Sequence, residues 1–363
     1  MKLMTILFAC GLCLGPVFAD GVKVRRGQTV EEFRNVKVLS DDWRGVKVQD
    51  GPAVRTFAAE DVIEVSYTIS PPLLAPALEF AAAGKFEEAT ASLREIATSD
   101  PEKFPWAADA AYFRLAQLAE STGRIADAEQ HWRDLAKKSP MGRHAPDAWR
   151  RIALEGICRR RAADVREAGS GLQSLAERAP SEGAHFAFEG KALLVRALTL
   201  EKAASAVADA EALKPVTPAQ KLRARVERAL ALLTAKEPLN AVAELRACAM
   251  DPLTADADVA AARIALATLA YDAGKDEDAV IECAWIFAAN EAPAPLRGFV
   301  ADALWMAGRS ARRLVDRKLD DAGRRLWFDR ALSFYRRSAA ILGEYPSSIA
   351  ARDALAVIEG TKR

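Results

Sequence analysis

Residues that carry chemistry are scarce in this chain of 363 residues. There are three histidines, His131, His144 and His185, and five cysteines. There is no His-Glu-x-x-His, no Gly-x-Ser-x-Gly, no phosphate-cradling glycine loop and no calcium-loop pattern. The histidines are scattered, so packed or solvated rings are expected rather than ligands. No catalytic, cofactor-binding or metal-binding residue is assigned, and the expectation is a protein that is not an enzyme. A net charge of +1 gives no general attraction to nucleic acid or to acidic membranes. With 51% hydrophobic and 28% charged residues the chain is not disordered throughout.

The longest apolar run opens the chain, and it falls well short of the roughly 20 residues needed to span a bilayer. Lys2 precedes apolar residues 3–15, Gly15-Pro16 breaks the run, and Val17 and Ala19 occupy the small-residue positions before Asp20. Residues 1–19 therefore read as a secretory signal peptide cleaved between Ala19 and Asp20, which implies export to the periplasm or cell envelope or secretion. Cys10 follows the bulky Phe8 and a very short apolar run, a poor lipidation box, and Cys10 and Cys13 leave with the signal. Cys158, Cys248 and Cys283 remain, too few for a disulfide framework. Cys248 and Cys283 fall at buried-type positions and read as small core residues, with a bridge between them left open.

Residues 20–69 have a texture of their own. Segments such as "VKVRR", "WRGVKVQ" and "DVIEVSY" alternate apolar and polar residues, with turns at Gly27, Asp41-Asp42 and Asp50-Gly51. That pattern predicts about five short antiparallel strands in a small all-β module, most simply an SH3-like or Sm-like barrel. It can serve as a cap on the helical part or as an independent binding module. Trp43 can be its core anchor or an exposed contact. A proline-rich junction, 70–76, separates it from the remainder, 77–363.

The remainder carries a ladder of anchors: Ala89, Ala128, Ala168, Ala203, Ala241, Ala279 and Ala331. Apolar or small residues stand four and seven positions after each, as in Leu93/Ile96 and Trp132/Leu135. A proline follows the first five at eleven or twelve positions, from Pro101 to Pro252. Gly84, Gly123 and Gly274 precede their anchors by five. A small residue in one helix facing another allows close approach of the pair, glycine permits the tight turn, and proline ends the second helix. Periods in this range predict stacked helix pairs, about seven of them, forming a mainly α solenoid.

The segments 78–101 and 115–140 resemble the tetratricopeptide repeat in their small–glycine–alanine–proline pattern. "SPMGRHAPDAWRRIA" and "YPSSIAARDALA" are similar to the junctions of an exported bacterial-envelope subgroup of that family. That subgroup includes the Tol–Pal-associated cell-division coordinator and the lipoprotein of the β-barrel assembly machine. The resemblance covers roughly 73–359. Lys191 and Lys236 replace small and turn residues, and the seventh unit has an extended first helix, about 298–317, so units four and seven depart most from the pattern.

The resemblance implies a right-handed superhelix whose first helices line a concave groove, and a scaffold that binds protein or peptide partners in the envelope. Counting back from the anchors places Arg150, Arg160 and Arg161, then Arg196, then Arg223 at groove positions of three consecutive units. Guanidinium forks suit an acidic partner or a C-terminal carboxylate. The alternative for Arg159–Arg161 is a solvated helix end. The alternative function is carbohydrate or peptidoglycan binding through the β module, with Trp43 exposed as its platform.

Overall fold

A computed structural model describes residues 20–181, 183–288, 294–317 and 320–360. Residues 1–19, where a signal peptide cleaved after Ala19 is expected, lie outside the described residues. The chain is mainly helical, with a small antiparallel sheet at its N-terminal end.

The five strands are β1 (Asp20–Arg26), β2 (Thr29–Asp42), β3 (Gly45–Asp50), β4 (Ala53–Phe57) and β5 (Val62–Ser66), with a 3-10 turn, Ala59–Asp61, before β5. Their order is β4-β3-β2-β1-β5, and every pairing is antiparallel. Alternation drives the assembly: Val22, Val24, Val36, Val46, Val48 and Phe57 point to one side and form the core of this unit. Asp20 of β1 ties β2 to the segment that follows β5. Its carboxylate accepts from the Val38 amide at 3.1 Å, the Thr68 amide at 2.7 Å and the Thr68 hydroxyl at 2.9 Å.

The helices follow in pairs. They are α1 (Leu74–Ala82) with α2 (Phe86–Ala97), α3 (Ala107–Ser121) with α4 (Ile125–Lys138), and α5 (Ala145–Cys158) with α6 (Ala162–Arg178). Next come α7 (Ala184–Leu200) with α8 (Ala206–Glu211), α9 (Pro218–Thr234) with α10 (Pro238–Met250), and α11 (Asp256–Asp272) with α12 (Asp276–Phe287). The long α13 (Arg297–Asp316), α14 (Asp321–Ala339) and a closing α15 (Pro346–Gly360) complete the chain. Each helix packs on its successor. The ladder alanines lie where close approach requires them: Ala89, Ala168, Ala241 and Ala279 are fully buried, and Ala128 and Ala331 nearly so.

Two ladder positions differ from expectation. The turn of the third pair centres on Arg160, at φ +58°, three residues earlier relative to Ala168 than Gly84 is relative to Ala89. Arg160 and Arg161 therefore belong to a turn and a helix start, not to a groove-lining helix. In the fourth pair Ala203 lies in the connection ahead of a second helix of only six residues, and Ala206 and Ala210 take the buried contacts.

The first helices of successive pairs lie side by side. α5 contacts α7, α7 contacts α9, α9 contacts α11, and α11 contacts α13. α13 then contacts α5, so the five helices form a closed cycle. Leu296, Phe299 and Tyr345 close it by packing around the buried Cys158. Arg297 Nη1 donates to the carbonyl of Glu120 at 3.0 Å, and the Tyr345 hydroxyl donates to Glu155 Oε1 at 3.1 Å. The inner face expected to be an open groove is filled by the chain's own C-terminal part.

The strand unit packs against the helical part. It lies across the N-terminal ends of α3, α5 and α7. Tyr67 stacks on Trp106 at 4.1 Å, Asp41 faces Arg143, and Trp43 meets Phe186 edge-on at 5.5 Å. Trp43 is 3% exposed and belongs to the helical core, not to the valine core of the sheet.

Candidate functional site

Two cavities lie where the sequence pointed or nearly pointed. The first lies among the five helices of the cycle. It holds 170 Å³ and is lined by Arg150, Arg196 and Arg223, all expected at groove positions, together with Ala153 and Ile157 of α5 and Phe299 of α13. The expected convergence of these three arginines on one surface is therefore present. Arg160 and Arg161 are elsewhere. Arg161 pairs with Glu129 at 2.6 Å and Asp164 at 2.8 Å, and Arg160 is exposed in the turn.

Carboxylates of the chain meet the three convergent guanidinium groups. Arg196 holds Glu227 through two hydrogen bonds, 2.6 and 3.0 Å. Arg223 reaches Glu227 at 2.8 Å and Asp258 at 2.6 Å. Arg150 forks onto Glu189, with contacts of 2.9 Å from Nε and Nη2. Glu227 is completely buried, so both arginines on it are needed to offset its desolvation. Burial opposes the Arg223 charge, yet Asp258 and Glu227 hold its pKa above the ordinary arginine value. Burial in turn pushes the Asp258 carboxyl up, against the pull of Arg223. The network joins α5, α7, α9 and α11 through their inner faces.

The second cavity is larger, 850 Å³, and lies between the strand unit and the first turns of α5 and α7. Val62, Ile63 and the 3-10 turn form one wall. Arg143, His144, Pro146 and Asp147 enter from the start of α5, and His185 and Phe186 from the start of α7. His144 stacks on Phe113 at 3.7 Å. Behind it, Asp109 accepts from the His144 amide at 3.3 Å, and burial pushes its carboxyl up to about 6. His144 and His185 look unrelated in the sequence, 41 positions apart. They share a cleft because each stands just ahead of, or within, the first turn of a first helix, and those turns are neighbours. The legible signal was the junction "SPMGRHAP", which recurs in altered form before α7 as "APSEGAHF".

Cys158, Cys248 and Cys283 are free, buried thiols, and burial raises the pKa of each, which keeps the unreactive thiol form. His131 is packed, with its pKa lowered by burial. Among the described residues no group of three histidine, cysteine or acidic side chains is placed to hold a metal ion, and no helix is long and apolar enough to cross a membrane.

Comparison with protein-family models and with curated proteins finds no match.

Proposed function

We propose that this chain is an exported, non-enzymatic scaffold of the cell envelope, a tetratricopeptide-like solenoid that binds protein or peptide partners. One observation carries the reading: six of the seven anchor alanines are buried, and they repeat along helix pairs joined by tight turns. Such arrays bury a continuous core and leave their surfaces free to recognise other chains. The strand order, with a single 3-10 turn ahead of the last strand, is what supports reading the N-terminal unit as an SH3-like barrel. Export rests on the signal pattern that ends at Ala19, and N-terminal sequencing of the processed protein should return Asp20 first.

The 170 Å³ inner cavity is too small for a peptide, and its arginines already have carboxylate partners. Partner recognition through the inner groove therefore gives way to recognition elsewhere on the scaffold. Trp43 is buried against Phe186, so it offers no platform for a sugar ring, and no observation favours the carbohydrate reading.

The test is chemical cross-linking in envelope fractions with the processed protein as bait. A discrete protein partner, enriched over a control without bait, is expected. Recovery of no protein above that control would sink the scaffold reading.

A further inference from the structure

We infer that two copies of this chain associate through the outer faces of α12 and α14, as a two-fold dimer in which each α12 lies on α14 of the other copy. The inference goes beyond the scaffold reading and does not depend on it.

Opposite charges stand side by side on this surface. α12 carries four acids, Asp276, Glu277, Asp278 and Glu282, and no basic residue. Asp276 is buried and held by Arg313 and Arg317, and Glu282 pairs with Arg263 at 2.7 Å. Glu277 and Asp278 stay exposed, with no ion pair among the described residues. α14 has the reverse balance, five arginines against two acids. Arg325, Arg330 and Arg337 are exposed and meet no carboxylate among the described residues. Arg330 lies over the ring of Trp327 at 4.7 Å and Arg337 over that of Phe287 at 5.1 Å. Asp329 is the one acid beside them on that face.

Apolar surface lies between the charges. Ile281 is 56% and Trp285 59% exposed on α12, and Leu326 is 49% exposed on α14. Ile281, Ala284, Trp285 and Ala288 line an open depression of 450 Å³. Arg263 covers one face of Trp285 at 5.0 Å and also touches Met250 Sδ at 3.3 Å, so the patch continues to the exposed Met250 of α10. Single exposed apolar side chains are ordinary, whereas a contiguous patch rimmed by charge marks a contact surface.

Geometry selects a second copy as the occupant. Arg317, just past the end of α13, reaches Asp276 at the start of α12 at 2.5 Å, so α13 runs antiparallel to α12. α14 begins a few residues later, at that same end. At the opposite end Phe287 meets Phe334 at 5.5 Å. α12 and α14 are therefore parallel neighbours, with Glu277 and Asp278 level with the first turns of α14, where Arg325 stands. A two-fold axis along the helices, midway between them, sets each α12 on α14 of the second copy and brings acid to arginine twice. An axis across the helices would set like charge on like. Any other partner would need both stripes at the same spacing, whereas a second copy has them by construction.

The test is sedimentation velocity of the whole processed protein from about 1 to 100 μM. A dimer that dissociates on dilution and with added salt is expected. One variant carries Glu277→Lys and Asp278→Lys, and another carries Arg325→Glu and Arg330→Glu. Each should raise the dimer dissociation constant by about tenfold or more. Mixed in equal amounts, the two should form a heterodimer of wild-type strength, because both contacts then join opposite charges. If the α12 variant loses helical content by circular dichroism, Ile281→Lys stands in and should weaken the dimer by about tenfold. A wild-type monomer at about 100 μM, a dimer unchanged in any folded variant, or folded variants that associate no more tightly when mixed than alone overturns the inference. A monomer that still captures a protein partner leaves the scaffold reading standing.

Discussion

Six helix–helix turns share one backbone device, and half of them use the wrong residue for it. Gly84, Gly123 and Gly274 adopt φ near +75°, and Arg160, Lys202 and Lys236 adopt φ of +58°, +56° and +65° at the same point of their turns. A side chain there meets its own carbonyl, at a cost of roughly 1–2 kcal/mol. Lys236→Gly should therefore stabilise the protein by about 1 kcal/mol in urea denaturation, with part of the gain offset by the looser unfolded chain. Gly84→Ala is the converse: a Cβ there meets nothing within 4 Å, so any loss reports backbone strain alone. The three glycines were legible in the sequence. Arg160 and Lys202 were not, because neither residue type announces a left-handed turn.

Asp109 gives a second prediction at this scale. Burial raises its folded pKa from 3.8 to about 6. Between those values the folded state holds a proton that the unfolded state has released. Stability contributed by this group is therefore present below about pH 4 and lost as pH rises through about 6. Asp109→Asn should abolish that slope, and against it the wild type should lose on the order of 2–3 kcal/mol between pH 4 and 7. Parallel urea melts across that range decide it. Equal slopes would mean that Asp109 ionises normally.

At the scale of elements, the ladder works by exclusion of volume. Ala128 is 2% exposed between α3 and α4, and Ala128→Leu should overpack that contact by about 1–3 kcal/mol. Leucine at the exposed Ala126, two residues away, should cost almost nothing. Equal losses at the two sites would show that the anchor register is misassigned. The register was readable for the first, second, fifth and sixth pairs, where turn residue and anchor stand five apart. It slipped in the third and fourth, where the turn residues Arg160 and Lys202 stand eight and one positions before the anchor instead of five. Arg160 and Arg161 were misplaced for that reason: the count ran back from the anchor, whereas the helix ends at the turn. The extended α13 was expected at about 298–317 and occurs at Arg297–Asp316.

On the scale of the molecule, the network around Glu227 ties successive pairs into one body. Glu227→Gln should cost about 3–5 kcal/mol, because it strips the partner from Arg196, itself buried, and weakens that of Arg223. Joint replacement of Arg196 and Glu227 by methionine should recover part of that loss, since an apolar pair of similar volume leaves no buried charge without its partner. Calorimetry of the single and double variants measures the coupling. A double variant as unstable as the sum of the singles would show that the pair is not coupled.

Local physics determined what the sequence could say alone. Alternating valines specify strands, small residues at helical spacing specify close helix pairs, and both patterns act over a few residues, so neither needs distant partners to be read. Only tertiary structure decided that α13 returns to α5, that the groove arginines find carboxylates two helices away, and that His144 and His185 share a cleft with β5. Those outcomes depend on the small rotation between neighbouring helix pairs, accumulated over five units. Each increment is set by the packing of particular side chains, and no short window of sequence contains their sum.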